Sequence, residues 1–174
     1  CENYPTHELG PIAKVLNINR GNRFVSLCSV ASKSRGLKEY VHKNSEKYSH
    51  LVDKDFKQGD IVTTIITCAD GSTVVLTLDT TLPRAYSRGF TVRGTKGAYF
   101  EDNDSVFIDG VNNPHIGAKE CWGNGEQFRN DYKHSLYEKY GKKAIESGHD
   151  GADYMVLQAF FEAVQKNEVP PIDV

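Results

Sequence analysis

Two β-branched runs that meet at an Asp-Gly turn set the strongest limit on what this chain can fold into. Residues 60–68 carry Ile61, Val62, Ile65 and Ile66, and residues 73–80 alternate Val74, Leu76 and Leu78 against Thr73, Thr77 and Asp79. Alternation of apolar and polar residues is the period of a strand with one buried face. Between the runs lies Ala69-Asp70-Gly71-Ser72, and Asp-Gly supplies the positive backbone angles that a tight hairpin needs. An antiparallel hairpin is therefore predicted here.

The remaining patterns arrange themselves around it. Residues 23–32 alternate less regularly, with Phe24, Leu27 and Val30 among polar neighbours. Residues 89–93, 97–101 and 105–108 read as three more short strands, separated by Gly94-Thr95-Lys96 and Asp102-Asn103-Asp104. Leu9, Ile12, Ala13 and Leu16 recur at helical spacing and predict an amphipathic helix over residues 7–18. Thr6 is its expected cap and Gly21 its expected stop, with Pro11 making the first turn irregular. Residues 135–146 predict a second helix and residues 153–166 the strongest one, with Tyr154, Leu157, Phe160, Phe161 and Val164 on one stripe. Asp150 or Asp153 would cap that helix, and Pro170-Pro171 would stop it. Residues 110–134, rich in Gly and Asn, read as a long surface loop, and residues 33–57 as a solvated helical face and loop. A helix, a run of strands and then helices specify an α+β fold: an open, mainly antiparallel β-sheet with helices packed on one face. The other face then needs a cover, either a partner subunit or a further domain.

Bulk composition narrows the partners. With 174 residues the chain has the size of one domain, and 25% charged with 39% hydrophobic residues is ordinary for a globular chain. A formal net charge of −2 argues against nucleic acid or an anionic membrane surface, which would select a basic excess. No apolar run approaches the roughly 20 residues of a membrane span. Cys1, Cys28, Cys68 and Cys121 are too irregularly spaced for a disulfide framework or a zinc motif; Cys28 and Cys68 are expected as buried, reduced thiols in strands. The chain opens on Cys1-Glu2-Asn3-Tyr4 without an initiator Met and stops soon after its last helix. Both ends read as fragment boundaries, so targeting cannot be inferred.

Three segments have residue types suited to chemistry. Tyr4-Pro5-Thr6-His7 falls at the start of the first helix, where free backbone N–H groups create positive potential. A neutral imidazole there could take a proton from a sugar hydroxyl, and the phenol could stack on a ring; a capping histidine and a packing tyrosine fit the same spacing. Arg84, Tyr86 and Arg88 follow a strand end and suit hydroxyl or acyl recognition, or else form a loop with solvated cations. Gly148-His149-Asp150-Gly151-Ala152-Asp153 precedes the last helix. Either His149 reaches a site or the segment is a structural turn.

Taken in order, Tyr4-Pro5-Thr6-His7, Leu16-Asn17-Ile18-Asn19-Arg20-Gly21, Leu82-Pro83-Arg84 with Tyr86-Ser87-Arg88, Arg93-Gly94-Thr95-Lys96-Gly97, Gly148-His149 with Gly151 and Asp153, and Pro170-Pro171-Ile172-Asp173 give the chain a specific likeness. It resembles the C-terminal domain of glycoside hydrolase family 109, within the glucose–fructose oxidoreductase, inositol dehydrogenase and MocA superfamily. Departures are Glu8, where a small residue is expected, and Cys1-Glu2-Asn3.

The resemblance implies that residues 1–174 form a substrate-binding and oligomerisation domain, with a Rossmann domain holding NAD upstream of it. No Gly-x-Gly-x-x-Gly turn occurs in the chain itself. It further implies glycoside cleavage by transient oxidation at the sugar C3, elimination and water addition, with NAD recycled, on N-acetylgalactosaminides or related sugars. Tyr4, Pro5, Thr6 and His7 match the family's substrate-binding stretch and Tyr86 its later substrate-contacting tyrosine. His7 stands at the acid/base position of the wider superfamily, and Arg84 and His149 join the expected substrate set. Tyr4, His7 and Tyr86 are expected to converge on one pocket. A homodimer through the open sheet face is implied as well. Other readings of the same scaffold are an NAD(P)-dependent sugar or polyol dehydrogenase domain and a non-catalytic sugar-binding module.

Overall fold

A computed structural model of the chain describes residues 5–115 and 119–170. The chain divides into two compact units, Cys1–Arg88 and Gly89–Val174.

The first unit holds α1 (Thr6–Val15), β1 (Phe24–Ala31), α2 (Gly36–Lys43), α3 (Ser45–Tyr48), β2 (Ile61–Cys68) and β3 (Thr73–Asp79). Its strands form an antiparallel sheet in the order β1-β2-β3. The predicted hairpin is present. Gly71 takes a φ of +88°, and the Cys68 and Ser72 backbones close the turn at 2.8 Å. Alternation along β2 buries Val62, Thr64, Ile66 and Cys68. Across the ladder Ile66 stands opposite Val74 and Val62 opposite Leu78, so the apolar residues of both strands share a face. Leu9, Ile12 and Ala13 of α1, with Leu16 just past its end, pack on that face against Ile66, Cys68, Val74 and Ile18.

Asn22 joins the end of this helix to the hairpin. It is 8% exposed, donates through Nδ2 to the Leu16 carbonyl at 2.9 Å, and accepts at Oδ1 from the Arg23 and Asp70 backbones at 2.9 and 3.2 Å. The connecting chain reaches this position through positive φ at Asn17, Asn19 and Gly21, and Asn is one of the residues that tolerates that region. The helix therefore ends at Val15, earlier than the predicted stop at Gly21. Its start also differs. Pro5 occupies the cap position without a side-chain cap, and Thr6 is already helical, which removes its hydroxyl from the capping role. The helix passes through Pro11.

The opposite face of the sheet is open. By register it carries Ser26, Cys28 and Val30 on β1, Ile61, Thr63, Ile65 and Thr67 on β2, and Thr73, Val75, Thr77 and Asp79 on β3. Val30, Ile65 and Val75 are substantially exposed. Cys28 lies on this face, opposite Ile65, and β1 is exposed at every position, Leu27 on the other face included, so Cys28 is an exposed thiol rather than the buried one expected. Cys68, on the α1 side, is buried as expected, and burial pushes its thiol pKa up.

The second unit holds β4 (Thr91–Gly94), β5 (Gly97–Phe100), β6 (Ser105–Ile108), α4 (Glu126–Arg129), α5 (Ser135–Ala144) and α6 (Ala152–Lys166). The strands form a second antiparallel sheet in chain order. The α+β class with open antiparallel sheets is thus what the sequence indicated, though the strands fall into two sheets and not one. Within the stretch expected as a surface loop, Asn124 does the work of a neighbouring strand. Its amide accepts from Val106 N at 2.7 Å and donates to Val106 O at 2.9 Å, and it also donates to the Glu120 carbonyl. That anchors the segment leading into α4.

Helices α5 and α6 meet through a polar network. The Tyr140 hydroxyl donates to the Glu162 carboxylate, Gln158 donates to the same oxygen at 3.0 Å, and Lys139 lies 3.6 Å away. The ring of Tyr154 meets that of Tyr140 edge-on. Tyr154, Gln158 and Glu162 are spaced four apart, so this face of α6 turns to α5. Met155 and Ala163 are its buried residues, whereas Leu157, Phe160, Phe161 and Val164 are at least half exposed. Of the apolar stripe read from the sequence, Tyr154 meets α5, while Leu157, Phe160, Phe161 and Val164 are left exposed. Neither Asp150 nor Asp153 caps α6; Gly151 holds that position with a φ of +96°.

The hydrogen bond from Tyr140, with that from Gln158 next, lowers the Glu162 carboxyl from 4.5 to about 2. A depressed carboxyl pKa stabilises the fold above its ordinary value, and the gain is lost as pH falls toward the folded one. Glu162→Gln should therefore lower the thermal midpoint near pH 7. Circular dichroism melts should show the gap from wild type narrowing between about pH 4.5 and 2. A gap constant over that range would contradict this role for Glu162.

Candidate functional site

Two of the segments singled out in the sequence belong to the first unit. His7 is exposed in the first turn of α1, next to half-buried Pro5 and exposed Thr6. Tyr4 lies outside the described residues. Because Asn22 ties the C-terminal end of α1 to the hairpin turn, the position of His7 follows from helix geometry. Ten helical residues rise roughly 15 Å, which puts His7 at the end of α1 away from that turn. Strand β3 leaves the same turn and runs roughly 20 Å along the sheet before delivering the segment that carries Arg84 and Tyr86.

That segment is tied down at both ends. At its base, the Thr81 hydroxyl donates to the Asp60 carboxylate at 3.0 Å. Asp60 is only 7% exposed and also accepts from the Arg35 and Gly36 backbones, both at 2.9 Å, at the start of α2. Burial raises the carboxyl pKa, but the hydrogen bonds from Gly36, Arg35 and Thr81 outweigh it and the net shift is downward. Residue 36 has no room for a side chain, since a Cβ there would lie 2.7 Å from the Thr81 carbonyl oxygen. Further along, the Arg84 guanidinium folds back on its own loop. Nη1 donates to the Ala85 and Ser87 carbonyls at 3.1 and 2.9 Å, Nη2 donates to the Asp79 carbonyl at 3.2 Å, and Nε lies 3.3 Å from the Asp79 carboxylate. Arg84, expected as a substrate ligand, thus has four contacts within residues 79–88. Tyr86, between its anchor points, is 87% exposed.

Asp60 was not among the residues the sequence brought forward. It is one acid among many, and its partners are 21 to 25 residues away along the chain. No local pattern marks it.

His149 lies in the second unit. Gly148-His149-Asp150-Gly151 forms a tight turn closed by Gly151 N to the Gly148 carbonyl at 3.2 Å, with φ of +53° at both His149 and Asp150. Nδ1 stands 3.0 Å from both carboxylate oxygens of Asp153. The hydrogen bond to Asp153, reinforced by its charge, raises the imidazole pKa. The side chain is 82% exposed, leaving the ring's other nitrogen accessible to act as donor or acceptor.

Among the described residues no group of three His, Cys, Asp or Glu side chains is placed to hold a metal, and no helix is long and apolar enough to cross a membrane. Both sheets are antiparallel, so the described residues lack the strand–turn–helix cradle of a parallel dinucleotide fold.

The chain matches the family model for the glycosyl hydrolase 109 C-terminal domain over residues 1–174. It is 42% identical over 170 residues to an alpha-N-acetylgalactosaminidase of Tannerella forsythia, covering 98% of this chain and 35% of that protein. A glycosyl hydrolase family 109 protein of Stenotrophomonas maltophilia is 42% identical over 174 residues, covering 99% of this chain and 37% of that protein. An alpha-N-acetylgalactosaminidase of Shewanella oneidensis is 33% identical over 175 residues, covering 98% of this chain and 37% of that protein. The chain therefore spans little more than a third of the length of these relatives. Matched along its whole length by the family model and by these relatives, it belongs to glycosyl hydrolase family 109, as a C-terminal domain.

Proposed function

We propose that this chain is the substrate-facing domain of a glycosidase acting on N-acetylgalactosaminides or related sugars, with Tyr4, Pro5, Thr6, His7 and Tyr86 meeting the sugar. The observation that carries the reading is the geometry of the first unit: one hairpin turn anchors both the helix that bears His7 and the strand that leads to Tyr86. The names of two relatives, both alpha-N-acetylgalactosaminidases, support the substrate class. In this reading His7 acts as an acid/base group or hydroxyl ligand at the positive end of α1, and Tyr86 offers a phenol for ring stacking and hydrogen bonding. NAD belongs to the reading as the family's cofactor, held by a domain outside these residues.

Full-length protein should cleave a nitrophenyl N-acetylgalactosaminide with no NAD added. His7→Ala should lower turnover by roughly 10²- to 10⁴-fold, the range for losing an acid/base group. Cleavage unaffected by His7→Ala would contradict the assignment of His7. Activity only as an NAD-consuming dehydrogenase would contradict the glycosidase reading.

The same reading includes a homodimer through the open face of the first sheet. Apart from Asp79 at the end of β3 this face is uncharged, and Val30, Ile65 and Val75 leave apolar area exposed. A second copy presenting the same face would cover it. Light scattering should give a dimer mass that Ile65→Lys shifts toward monomer. A monomeric wild type at high concentration would end this part of the proposal.

A further inference from the structure

We propose that Arg84 is a positioning residue that sets the loop geometry at which Tyr86 meets the sugar, with Asp60 and Thr81 fixing the base of that loop. The inference rests on the reading of Tyr86 as a sugar contact. What it adds is a reason why an exposed tyrosine on a segment of irregular structure can be placed well enough to recognise a ligand.

As a bare loop, residues 80–88 would sample many conformations. They form no helix or strand, and each ordered residue outside regular structure must be held by specific contacts against the entropy of a free loop. Two sets of contacts do this. One is the interlock of Asp60 with Arg35, Gly36 and Thr81, which fixes the first residues beyond β3 against the start of α2. The lack of a side chain at residue 36 lets the Thr81 backbone come this close. The other is Arg84, whose guanidinium bridges the Asp79 backbone and carboxylate at one side and the Ala85 and Ser87 carbonyls at the other. The carbonyls at 85 and 87 flank Tyr86, so Arg84 holds the backbone on both sides of it. A planar guanidinium can satisfy several acceptors at fixed angles, which a lysine cannot reproduce. A guanidinium committed to its own loop acts on the sugar through Tyr86.

The test is a double-mutant cycle in full-length protein, read on a nitrophenyl N-acetylgalactosaminide, together with amide hydrogen exchange over residues 79–88. Arg84→Ala should lower kcat/KM by roughly 10- to 100-fold, the scale of a small misplacement of a binding group, mainly through KM. In a Tyr86→Ala background the same substitution should have an effect of less than about twofold, because interacting residues are not additive. Thr81→Val should reproduce part of the loss and Thr81→Ser restore it. Arg84→Ala should speed exchange across residues 79–88, while Tyr86→Ala should leave exchange there unchanged. Losses that multiply in the double variant would make Arg84 a ligand in its own right and overturn the proposal. Unchanged exchange in Arg84→Ala would overturn it too, and that arm gives its answer even if the protein cleaves no glycoside.

Discussion

The first unit depends on one contact, the apolar face of α1 lying on the β2–β3 hairpin. Fully burying a Val, Leu or Ile side chain contributes roughly 1.5–3 kcal/mol, whereas a hydrogen bond contributes about 0.5–1.5 kcal/mol net. The packing of Leu9, Ile12, Ala13 and Leu16 on Ile66, Cys68 and Val74 is therefore what holds the helix to the sheet. Asn22 adds register: by bonding to Leu16 and to the hairpin turn, it fixes where the helix ends along the strands. The rest follows in order. A helix of set length and set end has a set beginning, and His7 is there. The face of β2 and β3 away from α1 is open, and apart from Asp79 at the end of β3 it is uncharged.

The second segment of interest is built by a different kind of force. Residues 79–88 bury little apolar surface, so polar contacts decide their path. Asp60 is the centre of this arrangement. It is buried, a position that costs a carboxylate dearly unless donors surround it, and two backbone amides and a hydroxyl do so. The same three bonds bring the start of α2, the start of β2 and the chain beyond β3 to one point. Arg84 continues the ordering outward to Tyr86. Apolar burial thus places the helix end and polar satisfaction places the loop.

What the sequence made legible follows the range of the interactions. The β2–β3 hairpin, the short strands and the existence of α1, α5 and α6 were readable because alternation, helical spacing and Asp-Gly are local signals. The chain's motifs also carried its family likeness. Features set by distant partners were not readable. Cys28 looks like a strand-core thiol until β1 is known to be the edge strand, exposed along its whole length. The apolar spacing on α6 shows in the sequence, whereas the contact of Glu162 with Tyr140 on α5 does not. Asp60 and the inward commitment of Arg84 depend on contacts that no spacing rule anticipates. Asn17 and Asn19 were visible as part of a motif, while their positive φ, which ends α1 early, was not.

The central claim is that the sugar meets this domain where the start of α1 and the chain beyond β3 present His7 and Tyr86. A crystal structure of the full-length protein with N-acetylgalactosamine bound tests it most directly. The account predicts a sugar within hydrogen-bonding or stacking distance of both side chains. A sugar bound with neither residue in contact would contradict it.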